Sequence, residues 1–386
     1  MKDKVAITYS WNRMAYIINK SLSEHNIKVF TGDVSAINMN TFSLKPNTSF
    51  RYPNFYKSPE QFIKGLKEQL NKHNIHFLIP THEEIFILSK YAAGLENIKT
   101  LLPEFESLRT AHKKDLSASI ARKLNIPLPL TLVPKTEQDC TAFFNENTKP
   151  VVLKYLNSNS AKGVFYIYTT DQLRSHFTNI GDFVLQEYIK GSGYGVSMLY
   201  NRGKLRASFT HKRLEEKIST GGTSTLRISV RNVALESYAK ALLDHLNWNG
   251  VAMVEFKWDD KTNRGYFIEI NPRFWGSLAL AYYSGMDFPW YYYRILRDGD
   301  IEPVYTYKEG VKVKWLLGGV LAFIDSLVHD RRIALHHLSM RADYFDDFNF
   351  KDPFIILGEM GYYFEKFLRS KQLNPTKDTS LNIDEI

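Results

Sequence analysis

Two apolar runs joined by a short polar turn constrain this chain more than any other stretch. Residues 251–258 and 265–271 alternate, with Ala252, Val254, Phe256 and Trp258 on the first run and Tyr266, Ile268 and Ile270 on the second. A period of two marks strands with one buried face, and the polar residues 259–264 make them a hairpin. Folded symmetrically about Thr262, the hairpin sets Glu255 opposite Glu269, with Asn271 next along the same face. Pro272 then takes the chain out of the sheet, and Arg273 follows at the strand end.

Facing carboxylates on paired strands stand about 5 Å apart at Cβ and repel. A cation normally accounts for such a pair, and two carboxylates with an amide oxygen form a hard-oxygen set suited to Mg²⁺ or Mn²⁺ shared with substrate phosphates. The planar fork of Arg273 suits a phosphoryl oxygen. The competing reading is a solvated hairpin whose acids pair with Lys257 or Arg264. The Asn-Pro-Arg exit favours the metal, because a plain hairpin does not need it.

The rest of the chain supplies a frame for this hairpin. Residues 4–8, 14–24 and 27–33 read as strand, helix and strand, the βαβ start of an open parallel sheet. The turn 9–13 lacks glycine, which excludes a dinucleotide fingerprint. An amphipathic helix over 59–71 (Phe62, Ile63, Leu66, Leu70) leads to a strand at 76–79. His82, Glu83 and Glu84 at its carboxyl end are either substrate contacts or an exposed helix start. A helix is predicted over 110–124, then a stiff Pro127–Pro129 exit, and two strands at 151–155 and 163–168. The polar loop 157–162 between these strands can fold its N–H groups over an anion, with Lys154 and Lys162 beside it. A strand over 183–189 ends at a glycine cluster, 191–195, followed by strands at 196–200 and 205–210. The basic run His211-Lys212-Arg213 and the small-residue loop 219–225 come next, ahead of Arg227 and Arg231. A helix over 233–246 precedes the hairpin, and another packs over 277–283. The aromatic residues Tyr282, Tyr283 and 290–293 read as core rather than as the wall of a substrate pocket. Residues 311–328 are apolar on nearly all sides, fitting a core helix better than a membrane-surface helix with Arg331 and Arg332 at lipid heads. The tail from Asn374 reads as loose.

Bulk properties narrow the class. The net charge is +9, but its 50 lysines and arginines are interleaved with acids. This suits an enzyme handling a polyanion better than a nucleic-acid binder with one basic stripe. One cysteine, Cys140, excludes an intrachain disulfide and a cysteine-rich zinc site. There is no secretory leader pattern and no apolar run of membrane-spanning length, so the expected location is the cytoplasm.

The residues Glu255…Glu269-Ile270-Asn271-Pro272-Arg273 resemble the metal and phosphate residues of the ATP-grasp superfamily of carboxylate–amine ligases, alongside biotin carboxylase and carbamoyl-phosphate synthase. The resemblance runs from about residue 114 to 287. It implies an α/β and α+β architecture: a Rossmann-like preATP-grasp domain (1–108), a two-lobed ATP-grasp domain (109–300, flexible lobe about 130–190) and a mostly helical C-terminal extension (301–386). ATP and Mg²⁺ (or Mn²⁺) are the implied cofactors, with Glu255, Glu269 and Asn271 as metal ligands. Lys114, Lys154, Lys162 and Gly163 are similar to the family's phosphate-side residues, and Gln186, Glu187, Tyr188 and Ile189 match its adenine-side hinge. Arg273 and Arg213 are the implied catalytic residues. Two positions depart from the pattern. Gln186 stands where the family usually has glutamate, with Glu187 adjacent as a substitute, and Gly193 stands where a ribose-binding glutamate is usual.

The implied reaction forms an acyl phosphate from a small-molecule carboxylate, which an amine (of an amino acid, peptide or amino sugar) then attacks. A homodimer is compatible with the resemblance. Activation of bicarbonate, as in biotin carboxylase, and ATP sensing without turnover are the alternatives. The complete set of two carboxylates, Asn271 and Arg273 argues against the latter.

Overall fold

The computed structural model describes residues 2–156, 163–216, 224–329 and 341–370, with positions 381, 383 and 386. The first sheet is built from β1 (Lys4–Ile7), α1 (Arg13–Glu24), β2 (Lys28–Asp33), β3 (Asn47–Arg51), α2 (Pro59–His73) and β4 (Phe77–Ile79). Its strands are all parallel, in the order β3-β2-β1-β4. Val5, Ala6 and Ile7 are wholly buried, as expected for a strand covered on both faces. The glycine-free turn after β1 takes a left-handed step at Tyr9 (φ 54°), whose N–H donates to the Tyr52 hydroxyl at 2.7 Å. Asn12 then caps α1 by accepting from the Ala15 N–H. The strand β3 was not anticipated: Asn-Thr-Ser-Phe-Arg carries only one buried apolar residue, Phe50.

Three helices follow: α3 (Glu84–Lys90), α4 (Phe105–His112) and α5 (Lys114–Lys123). The single helix expected over 110–124 is broken at Lys113, whose ψ of 120° is extended. Lys114 therefore opens a new helix instead of lying within an old one. Glu83 and Glu84 do not form an exposed helix start. Both are buried, and Glu84 accepts from the Thr8 hydroxyl (2.7 Å) and the Thr81 and His82 N–H groups.

A small lobe comes next, with β5 (Thr131–Leu132), α6 (Glu137–Glu146), β6 (Val151–Tyr155), β7 (Val164–Ile167), α7 (Thr170–Arg174) and β8 (Phe183–Gln186). Its antiparallel sheet, order β5-β8-β6-β7, has a core of its own around Phe143, Phe144, Leu153, Phe183 and Leu185. Capping boxes at Thr136/Asp139 and Thr169/Gln172 start its helices. The strand expected over 183–189 ends at Gln186.

The main sheet contains β9 (Ser192–Asn201), β10 (Lys204–Glu216) and β11 (Ser224–Ser229), then α8 (Val233–His245), β12 (Gly250–Asp259) and β13 (Arg264–Asn271). Helices α9 (Leu278–Tyr283) and α10 (Phe288–Asp298) precede β14 (Lys312–Lys314), α11 (Leu316–His329), β15 (Tyr344–Phe345) and α12 (Ile355–Ser370). The strand order is β13-β12-β9-β10-β11-β14-β15. One expectation is corrected here: the glycine cluster does not separate two strands, since β9 starts at Ser192 and runs through Gly193 and Gly195. Arg213 and Arg227 lie on β10 and β11. The mostly helical last segment also adds β14 and β15 to this sheet. Arg331, Arg332, the tail from Asn374 and most of the loop 219–225 lie outside the described residues.

The two faces of the main sheet differ. Val196, Met198, Tyr200, Ala252, Val254 and Phe256 pack with Leu235, Leu242 and Leu243 of α8 in one core. On the other face Leu199, Phe209, Val251 and Met253 join α1, α9 and α10 around Trp275, Phe288, Tyr292 and Tyr293. The aromatic residues of α10 are thus largely core, as the sequence suggested. Each fully buried side chain of this size contributes about 1.5–3 kcal/mol. Further along the same face that packing ends, and a cavity of about 370 Å³ opens.

Candidate active site

The acidic pair lies on the cavity wall. Glu255 and Glu269 are direct cross-strand partners, and Met253 faces Asn271. The hairpin is not symmetric about Thr262, however. Asp259 pairs with Arg264, so the turn centres half a residue earlier, and a β-bulge between Glu255 and Phe256 restores the register. The extra residue, Ile268, shifts the alternation on β13: Phe267 and Ile270 are buried in the core, while Ile268 joins Glu269 on the cavity wall. Bulges commonly re-aim side chains beside functional sites.

Asn271 Nδ2 lies 3.1 Å from Glu255 Oε1 and 3.4 Å from Glu269 Oε1, an amide N–H₂ lodged between two acids. Arg213 Nη2 meets Glu255 Oε1 at 2.6 Å. The proposed partners Lys257 and Arg264 do not hold the pair; Lys257 reaches Glu216 instead, at 3.6 Å. Burial, countered by Arg213 and reinforced by Glu269, raises the Glu255 carboxyl above its ordinary value. Arg273 donates to the Phe274 carbonyl at 2.9 Å and approaches Asn271 Oδ1 at 3.4 Å. Among the described residues no three His, Cys, Asp or Glu side chains group as a metal site. The two carboxylates and one amide oxygen would leave half of an octahedral shell to other oxygens, which suits Mg²⁺ held jointly with phosphates.

Two glycines make room for the basic side of the site. Gly195 pairs with both Glu255 and His211, on the two neighbouring strands. A Cβ at Gly195 would stand 2.4 Å from His211 Cε1 and 3.0 Å from Met253 Sδ. A Cβ at Gly193 would stand 2.7 Å from Glu216 Oε1 and 2.9 Å from Arg213 Cδ. Gly193 therefore answers the departure noted in the sequence. A side chain there would press on Glu216 and on Arg213, which lies across β9 to reach Glu255. Arg213 in turn faces Arg227 on β11, so the basic residues continue across the sheet.

The other end of the cavity takes residues from the small lobe. Lys114, Lys154, Gln186, Glu187, Tyr188 and Ile189 all line it. Lys114 Nζ donates to the Tyr155 carbonyl at 3.3 Å. Burial lowers the Lys154 ammonium to about 8, with Glu269 opposing and Lys114 adding to the fall. Two cations are thus held close together facing one acid. Gln186 gives its amide N–H to Thr131 Oγ1 (2.9 Å), and Glu187 accepts from the Leu130 N–H (3.1 Å). Gly163 does not belong to this set. Its carbonyl closes the β6–β7 hairpin by accepting from the Tyr155 N–H. Lys162 lies outside the described residues.

The structure adds a third wall. Trp11 and Arg13 from the first βα turn, His82 after β4, Trp315, and Glu359 and Tyr363 of α12 all line the cavity. Arg13 lies over the Trp315 ring, 3.7 Å from its centroid, and Trp11 stacks on Tyr362 at 4.3 Å. The carboxyl end of β1 is where open α/β sheets place ligands, a signal that covered Trp11 and Arg13. Nothing local marked Glu359 or Tyr363.

Residues 179–318 match the family model described as ATP-grasp in the biosynthetic pathway with Ter operon. Solved structures share the fold at low identity. N5-carboxyaminoimidazole synthetase from Staphylococcus aureus, complexed with ADP, superposes with a TM-score of 0.66 at 14% identity, over 86% of this chain and 87% of that one. Biotin carboxylase from Campylobacter jejuni, in a β-γ-ATP complex, gives 0.62 at 15% over 80% and 74%. L-amino acid ligase from Bacillus licheniformis gives 0.59 at 17% over 78% of each chain.

Proposed function

We propose that this chain is an ATP- and Mg²⁺-dependent ligase that activates a carboxylate as an acyl phosphate and joins it to an amine. The match of residues 179–318 to an ATP-grasp family model and the fold shared with solved ligase, synthetase and carboxylase structures support this reading. The carrying observation is the Glu255–Glu269 pair with an amide N–H₂ of Asn271 between the two acids. Without ligand that arrangement is compensated by Arg213 at Glu255 and by Lys114 and Lys154 facing Glu269; with a divalent ion it becomes a binding site. Two of the structural neighbours carry ADP or an ATP analogue, which supports a nucleotide in the cavity here.

Glu255, Glu269 and Asn271 would hold Mg²⁺, which when bound neutralises phosphate charge and so lets an anionic carboxylate approach. Lys114 and Lys154 hold phosphate oxygens. The backbone of Glu187 to Ile189 borders the adenine side. Arg273 orients the transferring phosphoryl group and then faces the oxyanion formed when the amine adds. Arg213, held by Glu255, keeps the incoming carboxylate beside Arg273. The substrate carboxylate oxygen takes the phosphoryl group as ADP leaves. The amine nitrogen then displaces inorganic phosphate and loses one proton. No covalent enzyme intermediate is needed.

The test is ADP release by the purified chain with MgATP and pooled amino acids, peptides and amino sugars. Glu269→Ala is expected to abolish release while leaving the fold intact by circular dichroism. Wild-type turnover by that variant would overturn the metal assignment. Release supported by bicarbonate alone would replace the organic acid with bicarbonate as the activated substrate.

A further inference from the structure

Buried polar atoms without a hydrogen-bond partner are few in folded proteins, and each calls for an explanation. In this structure several of them gather on the same cavity wall, away from the acidic pair. Arg227 Nε, Glu359 Oε2 and the Trp275 indole N–H have no partner among the described residues, and all three side chains line the cavity. Arg227 and Glu359 are each 1% exposed. Leaving such groups unpaired costs about 1–3 kcal/mol each, and more for a charged one. Their placement around one cavity indicates a polar ligand that pairs them.

Charge identifies the ligand class. Two guanidinium groups serve this wall, and both are engaged by Asp346: Arg13 at 2.8 Å and Arg227 at 2.5 Å. Asp347 is held by the N–H groups of Leu316 and Leu317 at the start of α11. Among the described residues the cation nearest Glu359 is Arg13, at 4.0 Å, and the Trp315 indole N–H is its hydrogen-bond donor. Burial, against the pull of Arg13 and with the repulsion of Asp347 and Asp346, raises its carboxyl to about 8. The wall thus offers one acid lacking a close cation, and on the same wall two donors, Arg227 Nε–H and the Trp275 indole N–H, lacking acceptors. The geometry points to a subsite for a zwitterion, in which Glu359 of α12 takes the ammonium group of an α-amino acid and the Arg227 and Trp275 donors take its carboxyl oxygens. This rests on the ligase reading above and specifies which substrate class the cavity admits and which residues select it.

The experiment titrates the full chain calorimetrically with each of the twenty protein amino acids, with and without saturating MgATP. The best ligand is then compared with its decarboxylated amine and its deaminated acid, on wild type and on Glu359→Gln. At least one amino acid is expected to bind, and removing either charged group should weaken it tenfold or more. Glu359→Gln should weaken the amino acid tenfold or more but leave the deaminated acid unchanged, while the variant's melting temperature and MgATP affinity report its fold. The inference is overturned if no amino acid binds under either condition, if the deaminated acid binds as well as its parent, or if Glu359→Gln binds the amino acid normally. The comparison of ligands on wild type stands even if the variant fails to fold. Amino-acid binding in a chain that takes up no MgATP would sink the ligase reading and leave this subsite standing.

Discussion

At the scale of single residues, the site is a set of charges that the fold holds at a cost. Lys154 illustrates it, because its ammonium is lowered to about 8 chiefly by burial. The unfolded chain therefore binds more protons than the folded one between about pH 8 and the ordinary lysine value of 10.5. Stability should rise with pH through that window, and the full cost is present below it. Lys154→Met is expected to stabilise the protein by about 1–3 kcal/mol at pH 7, to remove the pH slope in urea melts between pH 8 and 10, and to abolish ADP release. A variant less stable than wild type at pH 7 would contradict this. Arg273→Lys tests a different property. It keeps the charge but loses the planar fork, and kcat is expected to fall about 10²-fold or more with little change in melting temperature.

At the scale of elements, the hairpin shows what the sequence made legible. Period-two alternation and equal spacing from the turn placed Glu255 opposite Glu269, and the pairing is observed. The bulge was not legible, because a half-residue error in the turn centre and one inserted residue offset each other at this pair. The alternation on β13 failed for the same reason, with Phe267 and not Ile268 in the core. β11 went unread because its polar and apolar residues lie next to a small-residue loop, and its partners β10 and β14 are remote in sequence. The role of Gly193 and Gly195 likewise needs three strands in view. Gly195→Ala places a methyl group 2.4 Å from Cε1 of His211, a ring only 2% exposed. The expected cost is about 1–3 kcal/mol of stability. Differential scanning calorimetry and steady-state kinetics should show a lowered melting temperature and a loss of activity together.

At the scale of the whole molecule, one cavity collects residues from the parallel sheet, the small lobe, the main sheet and α12, so ligands should tie these parts together. MgATP at 100 times its dissociation constant would add about 2.7 kcal/mol, which for a chain of this size is a shift of several degrees in melting temperature. The shift is expected to vanish in EDTA; an equal shift with metal-free ATP would count against Glu255 and Glu269 as ligands. Among the described residues no helix is long and apolar enough to cross a membrane. The position of Glu359 and Tyr363 on α12 has a consequence for biosynthesis. A ribosome emits the strands proposed to grip the nucleotide well before this helix, so on the proposed roles a nascent chain would acquire its hold on ATP before its means of choosing an acceptor. On those roles, wasteful hydrolysis by half-made molecules would be averted if the open chamber, still lacking α12, cannot retain a second reactant.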